Sequence, residues 1–209
     1  MRRSVGFGLL GLLFSTPVLA ETRTAVVAGG CFWCVEANFE SVPGVQEVIS
    51  GYTGGTLPEP SYDDVSAGGT GHYEAVQIIY DSDRVTYAEL MQLFFRSIDP
   101  TDAGGQFCDR GDSYRSAIFV TTPEERAIAE AAKRDARAEL GQKIVTPIRK
   151  ASTFWPAEDY HQDFYKGRSI ILTRAGPKRQ ASAYKFYRAA CGRDARVEAL
   201  WGADAAFTK

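Results

Sequence analysis

Two cysteines spaced one helical turn apart are the residues of this sequence best suited to chemistry. Cys31 and Cys34 lie in the segment Gly-Cys-Phe-Trp-Cys at residues 30–34, directly behind the apolar run at residues 25–28. This pattern predicts a strand that turns into a helix at Cys31. Free N–H groups and the positive end of the dipole at a helix start favour a thiolate, and they lower the pKa of a cysteine. We therefore expect Cys31 to be a nucleophile.

The spacing of the pair adds redox chemistry to this hypothesis. Residues at positions i and i+3 of a helix lie about 5–6 Å apart between Cβ atoms, close to the separation that a disulfide needs. Cys31 and Cys34 can therefore alternate between a dithiol and a disulfide without refolding of the domain. The alternative is that both are small core residues, which a CxxC motif with Phe-Trp between its cysteines does not favour.

Aromatic and acidic residues that could assist a nucleophile occur in three later segments. They are Tyr62, then Glu74, and finally Asp109 with Tyr114. Taken singly, each has an ordinary explanation: Glu74 as a solvated strand residue, Asp109 as a turn former, and the tyrosines as amphipathic surface residues. We interpret His72 as a turn histidine.

The elements that must position these residues follow from hydrophobic periodicity and from turn and capping signals. Strands are predicted at residues 24–28, 45–52, 72–80, 116–120 and 144–148, and helices at 31–41, 87–98 and 123–140, with a long loop at 53–71. The order β-α-β-β-α-β predicts an α+β fold: a two-layer ferredoxin-like (split β-α-β) sandwich with a mixed sheet and an irregular C-terminal segment. In this layout, the loops 53–72 and 101–115 can both reach the helix start at Cys31.

The N-terminus predicts export. Arg2 and Arg3 precede an apolar stretch, and small residues precede a cleavage point after Ala20, which indicates a secretory signal peptide at residues 1–20. A membrane anchor is the alternative, but residues 5–20 fall short of the ~20 apolar residues that a spanning helix needs. We expect residues 21–209 to form one exported domain in the bacterial periplasm, not bound to a membrane after cleavage.

Charge and size limit the function classes further. Cleavage would leave 22 basic and 26 acidic residues, a formal charge of −4, which gives no reason to expect nucleic-acid binding. With 44% apolar residues across the chain, residues 21–209 can bury a core of their own, and we expect a monomer. A domain of this size does not need disulfides for stability, so its four cysteines require individual explanations.

Four motifs together give the sequence a specific resemblance. They are Gly-Cys-Phe-Trp-Cys-Val-Glu at 30–36, Gly-Tyr-Thr-Gly-Gly at 51–55, Gly-His-Tyr-Glu at 71–74, and Asp-Arg-Gly followed by Tyr-Arg-Ser within 109–116. In order and spacing they resemble methionine sulfoxide reductase A, and the match spans about residues 26–165. The segment 154–161 resembles the same family, and we expect its aromatic residues to support the site rather than react.

The resemblance implies an activity and a set of roles. The activity is reduction of the S epimer of methionine sulfoxide, free or in oxidised proteins, with a thioredoxin-like reductant and without a metal or organic cofactor. By position, the resemblance makes Cys31 the catalytic cysteine and Glu74 the acid. It also makes Phe32 and Trp33 the pocket that binds the substrate's methyl group. The remaining substrate-binding residues that it implies are Tyr62, Asp109 and Tyr114.

The chemistry of sulfoxides gives independent reasons for this set. A sulfoxide oxygen leaves poorly until it gains a proton, so attack by the Cys31 thiolate needs a neutral acid, and burial would raise the pKa of Glu74 enough to hold that proton. Tyrosine hydroxyls can stabilise charge on the same oxygen. Methionine then departs, and Cys31 remains as a sulfenic acid. Cys34 can attack this sulfenic acid to form a disulfide, which an external dithiol reduces.

Two departures from the family pattern leave the resolving cysteine open. Position 34 is often Gly in the family, with a resolving cysteine near the C-terminus, and Cys108 occupies a position where the family often has Asn. We favour Cys34 as the resolving thiol, with Cys191 as a possible resolving or relay thiol. Cys108 and Cys191 could instead form a structural bridge, which an exported location would permit.

Two other function classes share the CxxC motif. A thioredoxin-like thiol-disulfide oxidoreductase would also place it at a helix start, but that class would not require Glu74 or Tyr62. A structural zinc module would need four well-spaced ligands, and one CxxC with the isolated Cys108 and Cys191 is poor spacing for it.

Overall fold

The computed structural model describes residues 21–208, and the predicted signal peptide at residues 1–20 lies outside them. The strands are β1 (Thr22–Gly29), β2 (Val45–Thr53), β3 (Tyr73–Asp81), β4 (Gly105–Gln106), β5 (Asp109–Arg110), β6 (Ser116–Val120), β7 (Ile148–Lys150), β8 (Trp155–Pro156), β9 (Ile170–Thr173) and β10 (Gly176–Arg179). The helices are α1 (Phe32–Phe39), α2 (Tyr62–Ala67), α3 (Tyr87–Phe95), α4 (Pro123–Leu140), α5 (Gln180–Ala190) and α6 (Arg193–Trp201).

A six-stranded sheet in the order β7-β6-β1-β3-β2-β8 organises the domain. The consecutive pairs β6–β1, β1–β3 and β3–β2 at the centre of the sheet are antiparallel, whereas β7 runs parallel to β6. This arrangement confirms the predicted α+β class, the ferredoxin-like order and the mixed sheet. Helices α1 and α3 cover one face, where Phe39 and Phe94 are fully buried.

Several local predictions agree with the structure. Strand β6 has the predicted bounds, and Thr86 begins α3 with the predicted capping box to Glu89. Thr122 caps α4, and Gly141 ends it in the left-handed conformation, where glycine meets no Cβ penalty. Helix α1 is shorter than predicted and starts at Phe32, with Cys31 as its N-cap residue.

The predicted loop at 53–71 was wrong in part, because it contains helix α2. The Ser61 side chain accepts a hydrogen bond from the Asp64 N–H, and the Asp64 carboxylate accepts from the Ser61 N–H, a capping box that nucleates this short helix. The strand predicted at 144–148 is also displaced, and β7 starts only at residue 148. Pro147 has no N–H to give to a ladder, and the Val145 N–H donates to the Pro100 carbonyl instead.

The prediction of an irregular C-terminal segment was also wrong. It forms the β9–β10 hairpin and helices α5 and α6. Each helix buries side chains one turn apart, Tyr184 with Arg188 in α5 and Val197 with Trp201 in α6, so packing stabilises both helices. Within residues 21–208, every helix is too short or too polar to cross a bilayer.

Candidate active site

The N-terminus of α1 presents the two candidate redox thiols. Gly30 turns the chain from β1 into the helix with a φ of +83°, and a Cβ at Gly30 would lie 2.7 Å from Gln106 Cβ, so only glycine fits this turn. The Cys31 carbonyl then accepts the Cys34 N–H at 3.0 Å. Cys31 is half-buried and Cys34 is buried, and both are free thiols.

The two thiols share a hydrogen bond, and this sets their ionisation. The bond from Cys31 lowers the pKa of Cys34 to about 6, with Arg193 and Arg188 assisting. The same bond, followed by burial, raises the pKa of Cys31 well above its ordinary value, in contrast to the lowering expected at a helix start. The proton is therefore held more tightly at Cys31 than at Cys34, and the two thiols titrate as a pair rather than independently.

Glu74 lies beside this helix start in a state suited to an acid. Its side chain projects from β3, is 3% exposed, and accepts the Phe32 N–H at 3.0 Å through Oε2. Burial raises the pKa of Glu74 to about 8, although the hydrogen bond from Phe32 opposes the rise. This rise favours the protonated carboxyl group at neutral pH.

One cavity of about 630 Å³ brings the predicted site residues together. Its lining contains all nine of them: Cys31, Phe32, Trp33, Cys34, Tyr62, Glu74, Asp109, Tyr114 and Cys191. Burial raises the pKa of Tyr62 to about 12, and burial together with Glu74 raises that of Tyr114. Both phenols therefore keep their protons and can donate hydrogen bonds to a ligand oxygen. Burial also raises the pKa of Asp109, which Arg193 opposes.

The aromatic wall of the cavity is held in place by a histidine and a phenylalanine. The Trp33 indole stacks on Phe164 with ring centroids 3.7 Å apart, and Trp33 Nε1 donates to His161 Nδ1 at 3.2 Å. Burial lowers the pKa of His161 to about 4, which keeps the ring neutral and able to accept this bond. His161 also contacts Tyr62 and Phe32, with ring centroids 4.5 Å and 5.0 Å away.

Cys108 and Cys191 form a disulfide, the structural bridge that the sequence analysis left open. The bridge joins the loop that carries Asp109 to the C-terminal end of α5 across 83 residues. Asp109 carboxylate oxygens lie 3.7 Å from Cys108 Sγ and 3.8 Å from Cys191 Sγ. Bridged sulfurs offer a metal no thiolate, so the pair does not act as two zinc ligands in this state.

Three residues that hold the site were not identified from the sequence. Glu158 accepts hydrogen bonds from the Tyr52 hydroxyl at 3.0 Å and from the Tyr62 N–H at 2.8 Å, which fixes the start of α2. Arg193 is buried and donates to the Gly29 carbonyl at 3.2 Å. Arg188 is buried and forms an ion pair with Asp194. In a polar C-terminal segment, a buried arginine has the same sequence pattern as a solvated one, so neither arginine could be identified from its local sequence.

The loop at 53–71 is anchored by His72, which the sequence analysis interpreted as a turn histidine. His72 is buried, with Nε2 2.8 Å from the Leu57 carbonyl oxygen, and Nδ1 accepts the Gly55 N–H at 3.3 Å. These bonds brace the loop that carries Tyr62 to the cavity. His72 therefore supports the site from outside the cavity.

Comparison with known proteins agrees with this geometry. The family described as "Peptide methionine sulfoxide reductase" matches residues 23–195. A Rhizobium meliloti protein named peptide methionine sulfoxide reductase MsrA 2 is 48% identical over 97% of this chain and 95% of its own length. A Listeria monocytogenes peptide methionine sulfoxide reductase MsrA is 46% identical over 85% of this chain and 94% of its own.

Solved structures show the same fold. Reduced Mxr1 from Saccharomyces cerevisiae has a TM-score of 0.67 at 28% identity and covers 74% of this chain and 92% of its own. Methionine sulfoxide reductase A of Corynebacterium diphtheriae has a TM-score of 0.63 at 30% identity, covering 75% and 84%. Together with the extent of the family match, these similarities show that the chain belongs to the peptide methionine sulfoxide reductase family.

Proposed function

We propose that this enzyme reduces methionine-(S)-sulfoxide, free and in proteins, with Cys31 as nucleophile, Glu74 as acid and Cys34 as resolving thiol. Membership of the family makes the chain an oxidoreductase of methionine sulfoxide that takes electrons from a dithiol and uses no resident cofactor. The proposal adds the epimer and the role of each residue.

The observation that carries the proposal is the position and protonation of Glu74. Its carboxyl group lines the same cavity as Cys31 and accepts the N–H of the residue that follows Cys31. With a pKa of about 8, the group holds a proton at neutral pH in a site where water is largely excluded. A thiolate donor and a neutral acid in one cavity are the two partners that a sulfoxide needs.

The first half of the reaction uses these two groups. The Cys31 thiolate attacks the sulfoxide sulfur while Glu74 gives its proton to the oxygen, whose developing charge Tyr62 and Tyr114 stabilise by hydrogen bonds. The oxygen then passes to Cys31 as a hydroxyl: a Cys31 sulfur–oxygen bond forms, and the bonds from the substrate sulfur to that oxygen and to Cys31 Sγ break. Methionine leaves reduced by two electrons, and Cys31 is left oxidised as a sulfenic acid. Phe32 and Trp33 supply the apolar wall for the substrate's methyl group, and Asp109 supports the polar side of the cavity.

The second half of the reaction restores the thiols. Cys34 attacks the Cys31 sulfenic acid, water leaves, and a Cys31–Cys34 disulfide forms across one turn of α1. The free state of both thiols and the bridged state of Cys191 support Cys34 rather than Cys191 in this role. A thioredoxin-like protein then reduces the disulfide. Yeast Mxr1, which shares this fold, has been solved in complex with Trx2.

The decisive experiment offers the enzyme the separate S and R epimers of methionine sulfoxide with dithiothreitol as donor. We expect the S epimer to be converted to methionine and the R epimer to remain. Conversion of the R epimer alone, or of neither epimer, would contradict the proposal. Reduction of insulin disulfides without any sulfoxide reduction would instead favour a thioredoxin-like oxidoreductase.

We also propose that residues 1–20 are a cleaved signal peptide and that residues 21–209 act as a monomer in the bacterial periplasm. The short apolar stretch and the small residues before the cleavage point support this location. The mass and N-terminal sequence of the protein from a periplasmic fraction should show a chain that begins at Glu21. Recovery of the whole chain in the membrane fraction would favour an anchor, and light scattering would report the oligomeric state.

A further inference from the structure

The C-terminal hairpin and helix α5 carry a charge distribution unlike that of the rest of the chain. Residues 164–193 contain eight of the chain's 24 basic residues and none of its 26 acidic residues. We refer to Arg168, Ile170, Leu172, Arg174, Lys178 and Arg179 as the hairpin surface. Five of the six are exposed, and Lys178 is half-buried. A patch of this kind within an acidic protein indicates a partner of opposite charge.

Internal partners do not account for these charges. Three of the eight basic residues are neutralised or buried: Lys166 pairs with Glu40 and Asp163, Arg188 pairs with Asp194, and Arg193 is buried. The cations of the hairpin surface have no carboxylate within ion-pair distance anywhere in residues 21–208. Their charge is therefore available to a ligand.

The hairpin surface also exposes large aliphatic side chains. Ile170 is 73% exposed and Leu172 is 82% exposed, the highest values for large apolar residues in the described chain. They alternate along β9 with Ile171, which faces the other way and packs against the buried cluster that contains Phe164 and Tyr184. Exposed aliphatic side chains that alternate along a strand are typical of surfaces that bind an extended chain.

The hairpin is continuous with the catalytic cavity. Ile171 and Arg174 from the hairpin and Phe186 from α5 line the same space as Cys31 and Glu74. Lys178 lies over the Phe186 ring, 5.6 Å from its centroid, and so connects the hairpin to α5. The cavity of about 630 Å³ is much larger than one methionine sulfoxide side chain, so it leaves room for flanking groups to extend toward Arg174.

Resting on the proposed function, we infer that the hairpin surface binds the polypeptide that flanks an oxidised methionine and selects substrates with Asp or Glu close to it. Arg174 is the specificity-determining residue, because among the described cavity-lining residues it is the cation that is both exposed and without an ion pair. Leu172 and Ile170 contact aliphatic neighbours in the same segment. An anionic lipid surface has matching charge, but it would not place a reacting group in the cavity.

The test compares two peptides of equal length, each with one methionine-(S)-sulfoxide, flanked at the same positions by Asp and Glu or by Asn and Gln. With dithiothreitol as donor at low ionic strength, we expect kcat/KM to be about fivefold higher for the acidic peptide, a preference that shrinks as salt is added. In Arg174→Glu the ratio should fall below one, and Arg174→Lys should largely restore it. Arg134→Glu, the same charge change at an exposed residue of α4, should keep the wild-type ratio.

The possible outcomes separate the hairpin inference from the proposed function. If the wild-type enzyme reduces both peptides equally and Arg174→Glu leaves that ratio unchanged, the inference about the hairpin is overturned while the proposed function stands. If neither peptide nor free methionine-(S)-sulfoxide is reduced, the proposed function itself fails. If vesicles of phosphatidylglycerol bind the wild type but not Arg174→Glu, without a peptide preference, the surface belongs to a lipid and the inference is wrong.

Discussion

The Cys31/Cys34 pair and the Cys108/Cys191 pair lie in one cavity but are built differently. The first pair sits on one helical turn, free and joined by a hydrogen bond. The second pair is a disulfide that spans 83 residues and connects a loop to the end of α5. A pair on one turn can open and close without moving the backbone, whereas a long-range bridge limits the unfolded chain. Local spacing therefore favours turnover, and long spacing favours stabilisation.

The two cysteine pairs also differ in the carboxyl group beside them, Glu74 for the free pair and Asp109 for the bridged pair. Glu74 is almost completely buried, with a pKa of about 8, and it bonds to the helix start at Cys31. Asp109 lies against the bridge, and Arg193 opposes the rise in its pKa. A neutral proton donor thus accompanies the free thiols. Removing one component of each pair at a time tests this contrast.

Cys31→Ser should have the largest effect. A serine hydroxyl is not ionised at neutral pH, so we expect the first-turnover rate constant to fall on the order of 10⁴-fold or more with any reductant. Rapid quench with methionine-(S)-sulfoxide measures this rate, and circular dichroism checks the fold. Cys108→Ser/Cys191→Ser is the matched control. Turnover by Cys31→Ser well above background would remove Cys31 from the mechanism.

Glu74→Gln should come next, with a first-turnover rate about 10²–10⁴-fold lower because the amide cannot supply the proton, while substrate binding is retained. The direction in which the rate changes with pH follows from the protonation of Glu74. Glu74 is protonated below its pKa of about 8, so the wild-type rate should fall as the pH rises through that value. The acidic limb should follow the pKa of about 6 at Cys34.

The Glu74→Gln profile should lose only the limb near pH 8. A variant as fast as the wild type across that range would show that another group is the acid. A variant that also lost the acidic limb would indicate that Glu74, and not the thiol pair, sets both limbs.

Cys34→Ser should leave the first turnover largely intact and stop the reaction afterwards. We expect one equivalent of methionine per enzyme, because no neighbouring thiol converts the Cys31 sulfenic acid to a disulfide. Mass spectrometry of the stalled enzyme should find the sulfenic acid. A new bridge to Cys191, with thioredoxin-dependent turnover unchanged, would make Cys191 the resolving thiol and erase the contrast between the pairs.

Cys108→Ser/Cys191→Ser should have the smallest effect on chemistry and a measurable effect on stability. Loss of a long-range bridge should lower the free energy of unfolding by about 2–4 kcal/mol, while turnover continues. Urea denaturation of the variant and of the wild type, with and without reductant, measures this difference. Equal stability combined with failed turnover would reverse the roles of the two pairs.

The sequence predicted those parts of the molecule that depend on local patterns. A short apolar run placed strand β6 at its observed bounds, and glycines with a following CxxC placed the start of α1 to within one residue. Helix α2 has a capping box that is visible in the sequence, because Ser61 and Asp64 have the required spacing. The surrounding glycines and prolines nevertheless favoured a loop prediction for this segment. Local rules therefore reach as far as backbone conformation.

The buried residues that support the site are held by contacts between residues distant in the sequence. Local sequence patterns do not predict such contacts. Glu36 is fully buried because Ser50 and the Asp163 N–H bond to its carboxylate. Arg188 and Arg193 are buried for similar reasons, with partners far away in the chain. The pKa of Cys31 was also misjudged, because a helix start predicts a lowered value while the hydrogen bond to Cys34 raises it.

Arg188 has a consequence for the order of folding. Its guanidinium donates to Asn38 Oδ1 in α1 and to the Phe207 carbonyl, each at 2.9 Å. The Phe207 ring also packs against Phe39. Contacts between residues this far apart form late, and residue 207 is synthesised long after α1. The helix that starts at Cys31 therefore completes its packing only after residues far along the chain have been made, so a nascent chain exposes its thiols before it can use them.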